Sequence, residues 1–185
     1  MTQKTNTRIA FQGELGAYSH EASVKARPDA VPVPCATFDD VLKAMHDGRA
    51  DLAMLPIENS LAGSVLQAYE LLMEHDLRVR AEVIVRVRHN LMAAPGTQIE
   101  ALKRVKSHPQ ALAQCERYLA RRVLEAVPHF DTAGSARDLA ENPEPECAVI
   151  ASALAAELYG LEILESGVED LRFNYTRFFV LGLED

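Results

Sequence analysis

The sequence predicts an α/β protein whose sheets are mostly parallel and covered by helices. Three observations carry that prediction. Short apolar runs alternate with helical stretches up to residue 75, a period-2 strand follows, and the same alternation resumes after Ala94-Pro95-Gly96.

The first apolar run, Ile9-Ala10-Phe11, leads into a turn at Gly13 and a helix over residues 19–27. Val31–Cys35 precedes a helix over 39–47, and the run 52–57 precedes one over 65–75. Val79, Ala81, Val83, Val85 and Val87 then alternate with Arg78, Arg80, Glu82, Arg86 and Arg88, the pattern of a half-exposed strand with its arginines on a solvated face. Beyond Pro95-Gly96 come a strand at 104–106, a helix over 109–122, a strand near His129, a helix from Ser135, a strand at Cys147–Ala151 and a helix ending at Tyr159. The proline-bearing acidic stretch 141–146 is a surface loop, and residues 178–183 close the chain as a strand. Ligands of such folds lie at the carboxyl ends of strands, which fixes where to look for chemistry.

Of 185 residues, 48% are apolar and 25% charged, enough to bury a core as one compact domain or two small lobes. A net charge of -8, dispersed Lys and Arg and the absence of tryptophan exclude a broad nucleic-acid surface. An acidic protein that binds an anion must concentrate its positive charge in a pocket. The first seven residues are polar, and no run approaches membrane-spanning length, so the expectation is a cytoplasmic protein without membrane contact. The three cysteines are far apart without a metal spacing, and the six histidines lack an HExxH arrangement, which argues against zinc and against a cysteine nucleophile.

Four stretches carry candidate chemistry. Gly13-Glu14-Leu15-Gly16-Ala17-Tyr18-Ser19 follows a strand and opens a helix, where backbone donors can hold an anion. It lacks the third glycine of a dinucleotide fingerprint, and its glycines equally serve turn geometry. Pro56-Ile57-Glu58-Asn59-Ser60, with Gly63-Ser64 beyond it, stands at a strand's carboxyl end. Ser60 or Ser64 can cap the next helix, while Asn59 can fix a carboxylate or hydroxyl without adding charge.

In Ser107-His108-Pro109-Gln110-Ala111-Leu112-Ala113-Gln114-Cys115, Ser107 reads as a helix cap with Gln110 closing a capping box. Seven residues at about 100° each bring Gln114 back nearly above Ser107, so both polar groups could share one face. Asp131-Thr132-Ala133-Gly134-Ser135 reads as a further cap. Asn174-Tyr175-Thr176-Arg177-Phe178 sets a hydroxyl beside a guanidinium, a pairing that suits a small organic acid. Two plainer readings stand beside it: Asn174 and Thr176 satisfying a turn, and Arg177 pairing with Glu58.

These four stretches occur in the order seen in prephenate dehydratase catalytic domains, and the resemblance covers residues 9–183. It implies conversion of prephenate to phenylpyruvate with loss of water and carbon dioxide, without cofactor or metal. It implies two α/β lobes like those of type II solute-binding proteins, with the active site in the cleft between them. Residues 1–80 and 175–185 would form one lobe and 81–174 the other. Catalytic or polar-binding roles fall on Asn59, Ser107, Gln114 and Thr176, with Thr176 donating to the departing hydroxyl. Substrate contacts fall on Arg177, Ser60, Gly16, Ala17, Tyr18, Ser19, His108 and Phe178, the last more at home in a core.

Family members often carry proline where Glu14 stands, which concerns the first loop's shape. The chain ends at Asp185 directly after its last strand, so neither an ACT domain nor feedback inhibition by phenylalanine through one is expected. The resemblance implies a homodimer or homotetramer. Arogenate dehydratase shares these motifs, and a non-catalytic module for small carboxylates would share the fold.

Overall fold

In a computed structural model, residues 6–183 are described; the polar start before Asn6 and the last two residues lie outside them. The chain forms two compact units. One takes the residues up to Glu14, Tyr18–Arg86 and those from Asn174 on, and the other takes Leu15–Ala17 and Val87–Phe173. In chain order the first unit contains β1 (Arg8–Gln12), α1 (Tyr18–Ala26), β2 (Val31–Cys35), α2 (Phe38–His46), β3 (Leu52–Asn59), β4 (Gly63–Ser64), α3 (Leu66–Glu74) and β5 (Leu77–Arg86). The second contains β6 (Asn90–Ala93), a 3-10 turn at Ile99–Ala101, β7 (Arg104–Ser107), α4 (Pro109–Gln114), α5 (Glu116–Arg121), β8 (Glu125–Pro128), α6 (Thr132–Glu141), β9 (Cys147–Ala151), α7 (Ala153–Tyr159) and β10 (Glu162–Ser166). β11 (Tyr175–Leu183) returns the chain to the first unit.

A division at 80/81 would cut β5, whose pairing with β11 runs to Arg86, so the first unit keeps that strand whole. Asn174 belongs there too, tied by its side chain to Asn59.

The first sheet has the order β2-β1-β3-β11-β5, with β4 paired to β3, and the second has β10-β6-β9-β7-β8. β1 runs parallel to β2 and β3, whereas β11 is antiparallel to both of its neighbours. β7 is parallel to β8 and β9, and β6 is antiparallel to β9 and β10. The sheets are therefore mixed rather than mostly parallel. Strands joined through a crossover helix must run parallel, but β11 arrives from far along the chain and is free of that constraint.

Local chemistry accounts for the helices. Thr37 accepts from Asp40 N at 3.1 Å and starts α2, whose Phe38, Val41, Leu42 and Met45 are buried at helical spacing against Ala10, Ala53, Leu55 and Ile57. In the second unit both sheet faces are covered: Leu91, Ala148 and Ile150 join one core, and Met92, Val149 and Ala151 the other. Two buried faces explain why β9 reads as a continuous apolar run. β5 departs from its predicted alternation, for Val83 and Val85 are buried while Val79 is half exposed. No described helix is long and apolar enough to cross a membrane.

The helix expected over 109–122 is broken at Cys115, whose φ of -117° and ψ of 16° leave the helical range. The break is tertiary in origin. Asp170 N donates to Gln114 O at 2.8 Å, and the Asp170 carboxylate accepts from the backbone of Arg117 at 2.9 Å and Tyr118 at 3.3 Å, capping α5 from outside. α6 begins at Thr132, ahead of the expected Ser135, because Asp131 caps it by accepting from Gly134 N at 3.0 Å.

Candidate active site

At the carboxyl end of β3 the first unit gathers Asn59, Ser60, Asn174, Tyr175 and Thr176. Asn59 stands opposite Thr176 in the β3–β11 register. Its side-chain oxygen accepts from Leu61 N at 3.0 Å and Ala62 N at 2.9 Å, which fixes the orientation of the amide. The opposite side of that amide, Nδ2, therefore donates to Asn174 Oδ1 at 2.8 Å and Thr176 Oγ1 at 2.9 Å. Ser60 N and Tyr175 O bond at 2.9 Å, and Tyr175 N returns a bond to Ser60 Oγ at 2.9 Å. Ser60 thus closes the strand pair instead of capping α3, whose cap position, Val65, makes no side-chain bond.

The consequence for Thr176 is specific. The residue is only 8% exposed and its hydroxyl receives a hydrogen bond from Asn59, so its own proton points elsewhere, and no described residue accepts it. A buried hydroxyl without an acceptor is poised to donate to something else.

Arg177 does not join that group. Successive strand residues face opposite ways. Arg177 shares its face with Phe179, its guanidinium carbon lying 5.6 Å from that ring's centre, and it pairs with Glu58 at 3.3 Å and Glu82 at 3.5 Å. The plainer of its two readings, the ion pair with Glu58, is the one formed. Phe178 returns to the Thr176 face and is buried at 2% exposure as part of the core.

In the second unit, Ser107 is fully buried at the end of β7 and donates to Ile150 O at 2.6 Å. It does not cap α4. His108 does, its Nδ1 accepting from Gln110 N at 3.2 Å. Because the helix starts only at Pro109 and His108 is extended, counting helical rotation from Ser107 to Gln114 fails, and the two side chains have separate partners. Gln114 Oε1 meets His89 Nε2 at 2.8 Å.

His89 escaped the sequence reading. Its backbone N–H donates to Glu169 Oε2 at 3.0 Å, and burial lowers the pKa of its ring against the opposing pull of Gln114 and Glu169, which favours the neutral imidazole. A neutral ring donates through Nε2–H to Oε1 and so orients the Gln114 amide. The signal was present in the sequence: His89 continues the inward phase of Val83, Val85 and Val87, the place for a buried and therefore partnered polar group.

The glycine loop divides between the units. Gly16 has a φ of 89°, and a Cβ there would lie 2.8 Å from Ala155 Cα, so close packing on α7 requires glycine. Ser152 Oγ donates to Gly16 O at 2.5 Å, Tyr159 OH donates to Leu15 O at 2.7 Å, and Ala17 packs on the same core. In the first unit Tyr18 begins α1, and Ser19 O accepts from Ser23 Oγ at 2.9 Å. The three cysteines are buried, and burial pushes each thiol up, away from the thiolate a nucleophile needs.

Comparison with known proteins matches residues 9–185 to the family of prephenate dehydratases. Arogenate dehydratase/prephenate dehydratase 6, chloroplastic, from Arabidopsis thaliana is 48% identical over 184 residues, covering 97% of this chain and 44% of the relative. The chain thus spans less than half the length of that relative. A prephenate dehydratase from Arthrobacter aurescens, solved in complex with L-Phe, superposes with a TM-score of 0.87 at 30% identity, over 97% of this chain and 61% of that one. The ligand-binding component of an ABC-type import system from Staphylococcus aureus reaches 0.50 at 13% identity, over 97% and 66% of the two chains, a likeness of fold alone.

Proposed function

This chain belongs to the prephenate dehydratase family, and we propose that it converts prephenate to phenylpyruvate, a carbon–oxygen lyase reaction. The observation that carries the reading is the buried Thr176 hydroxyl, held by Asn59 with its proton unclaimed among the described residues. In the reaction the bond between the ring and its carboxylate breaks and releases carbon dioxide. The electron pair left behind moves into the ring, the carbon–oxygen bond at the far side breaks, and the departing hydroxide takes up one proton to leave as water. Aromatisation supplies much of the driving force, so no electron sink is required.

Thr176 acts at the departing oxygen. Threonine is a weak acid, and its contribution is a hydrogen bond that strengthens as charge develops, with the consumed proton drawn ultimately from solvent. Asn59 orients that hydroxyl. In the second unit His89 orients the Gln114 amide, and Ser107 anchors the turn from which α4 departs. Arg177 has no part in this mechanism, being paired with two carboxylates. The reading includes no cofactor and a cytoplasmic homodimer or homotetramer.

A second reading, arogenate as substrate, rests on the activity named for the plant relative and uses the same residues. Incubating the protein separately with prephenate and with arogenate tests both. Phenylpyruvate formed from prephenate at a higher kcat/KM than phenylalanine from arogenate is the expected result, and no product from either would remove the enzyme assignment.

A further inference from the structure

The second unit holds a polar pocket of about 520 Å³ that shares no residue with the Asn59–Thr176 site or with Ser107 and Gln114. Arg117 and Arg121 line it from α5, four residues apart and hence on one helix face, and Arg172 lines it from the segment after β10. Among the described residues, none of the three guanidiniums has an ion-pair or hydrogen-bond partner.

The carboxylates around the pocket are differently placed, for each has a partner of its own. Asp170 accepts from the backbone of Arg117 and Tyr118. Glu165 accepts from Tyr118 OH at 2.8 Å and from Arg122 at 2.6 Å, and Glu169 accepts from His89 N at 3.0 Å. Three guanidiniums without an ion-pair partner thus line one pocket beside carboxylates whose oxygens are already engaged, so the donors left over at the pocket are those of arginine. The volume lies within the range of small-molecule sites, about 300–1,000 Å³. Guanidinium forks match carboxylate and phosphate oxygens two at a time, which favours a ligand with more than one acidic group.

We propose that this pocket is a second binding site, for a small organic molecule carrying two or more carboxylate or phosphate groups. The site goes beyond the dehydratase reading and does not depend on it. Isothermal titration of the full chain with citrate and with pyrophosphate, at low and at high salt, tests it, and the two probes tell a carboxylate preference from a phosphate one. Saturable binding of one molecule per chain is expected, weakened by salt and weakened about tenfold or more in Arg117→Ala/Arg172→Ala. Arg27→Ala/Lys43→Ala, which removes the same charge elsewhere, should bind as the parent does. Should the first double variant fold poorly, Arg172→Ala alone, in a segment outside the helices, should still weaken binding severalfold. Absence of saturable binding of either probe, or equal weakening in both double variants, would overturn the proposal.

Discussion

The two polar clusters are built on opposite principles. Around Asn59 the groups bond to one another through strand register, while the Thr176 proton has no acceptor among the described residues. At the two ends of α4, Ser107 gives its proton to Ile150 O and the Gln114 side-chain carbonyl is taken by His89. A group whose donor is already committed inside the fold has less to offer a transition state than one that is held in place but uncommitted. The first cluster should therefore govern the rate of the chemical step, and the second should chiefly govern stability and binding.

The largest effect expected is at Thr176. Thr176→Ala should lower kcat about 10²–10⁴-fold, or roughly 3–5 kcal/mol, and should cost only about 1 kcal/mol of stability, since the lost Oγ1 is one of the acceptors of Asn59 Nδ2. Thr176→Ser keeps a hydroxyl and should keep most of the activity. Steady-state rates alongside thermal melts check both, and undiminished turnover in the alanine variant would erase the contrast between the clusters.

Next in size is Gly16→Ala, a change at the close approach to α7. It places a side chain at positive φ and 2.8 Å from backbone, for about 3 kcal/mol of destabilisation read by urea unfolding. Ser107→Ala then isolates the second cluster. It strips Ile150 O of a buried donor and should cost about 1–2 kcal/mol of stability, with turnover falling less than about tenfold. A turnover loss as large as that of Thr176→Ala would show that the committed hydroxyl is nonetheless chemical.

How far the sequence could foretell this arrangement follows from the range of the interactions involved. The alternation that gave β1, β2, β3, β7, β9 and their helices is local, and so it was legible. The place of β11 between β3 and β5 is not local, since nothing in its own residues states which neighbours it will pair with or in which direction. β6 has only four residues, all buried, and β10 mixes half-buried with exposed positions at a sheet edge, so neither shows a clean period. The break at Cys115 is imposed by Asp170 from outside the helix. At the site, the Asn59–Thr176 pair was identifiable because both lie in runs tied to strand ends. Thr176 and Arg177, neighbours in sequence, face opposite ways because a strand has a two-residue period, and Arg177 pairs with Glu58 and Glu82.

The smallest effect tests the balance of the units through pH. Burial lowers the ring pKa of His20 in the first unit, stacked 5.3 Å from Phe11, and of His89 in the second. For a group whose folded value is depressed, folded and unfolded chains are both neutral above the ordinary value of 6.5, and the full stability is present there. As pH falls from 6.5 towards the lower folded value, the unfolded chain takes up a proton that the folded one does not, and stability declines. His89→Gln keeps a donor for Gln114 but removes this titration, so its melting temperature should fall less than the parent's between about pH 7 and pH 5. His20→Gln should flatten the same interval by acting in the other unit. Additivity of the two gains in the double variant is the expected outcome, because the two rings belong to different units. A parent whose stability does not fall below 6.5 would mean that His89 is not held neutral, and the orientation assigned to the Gln114 amide would fall with it.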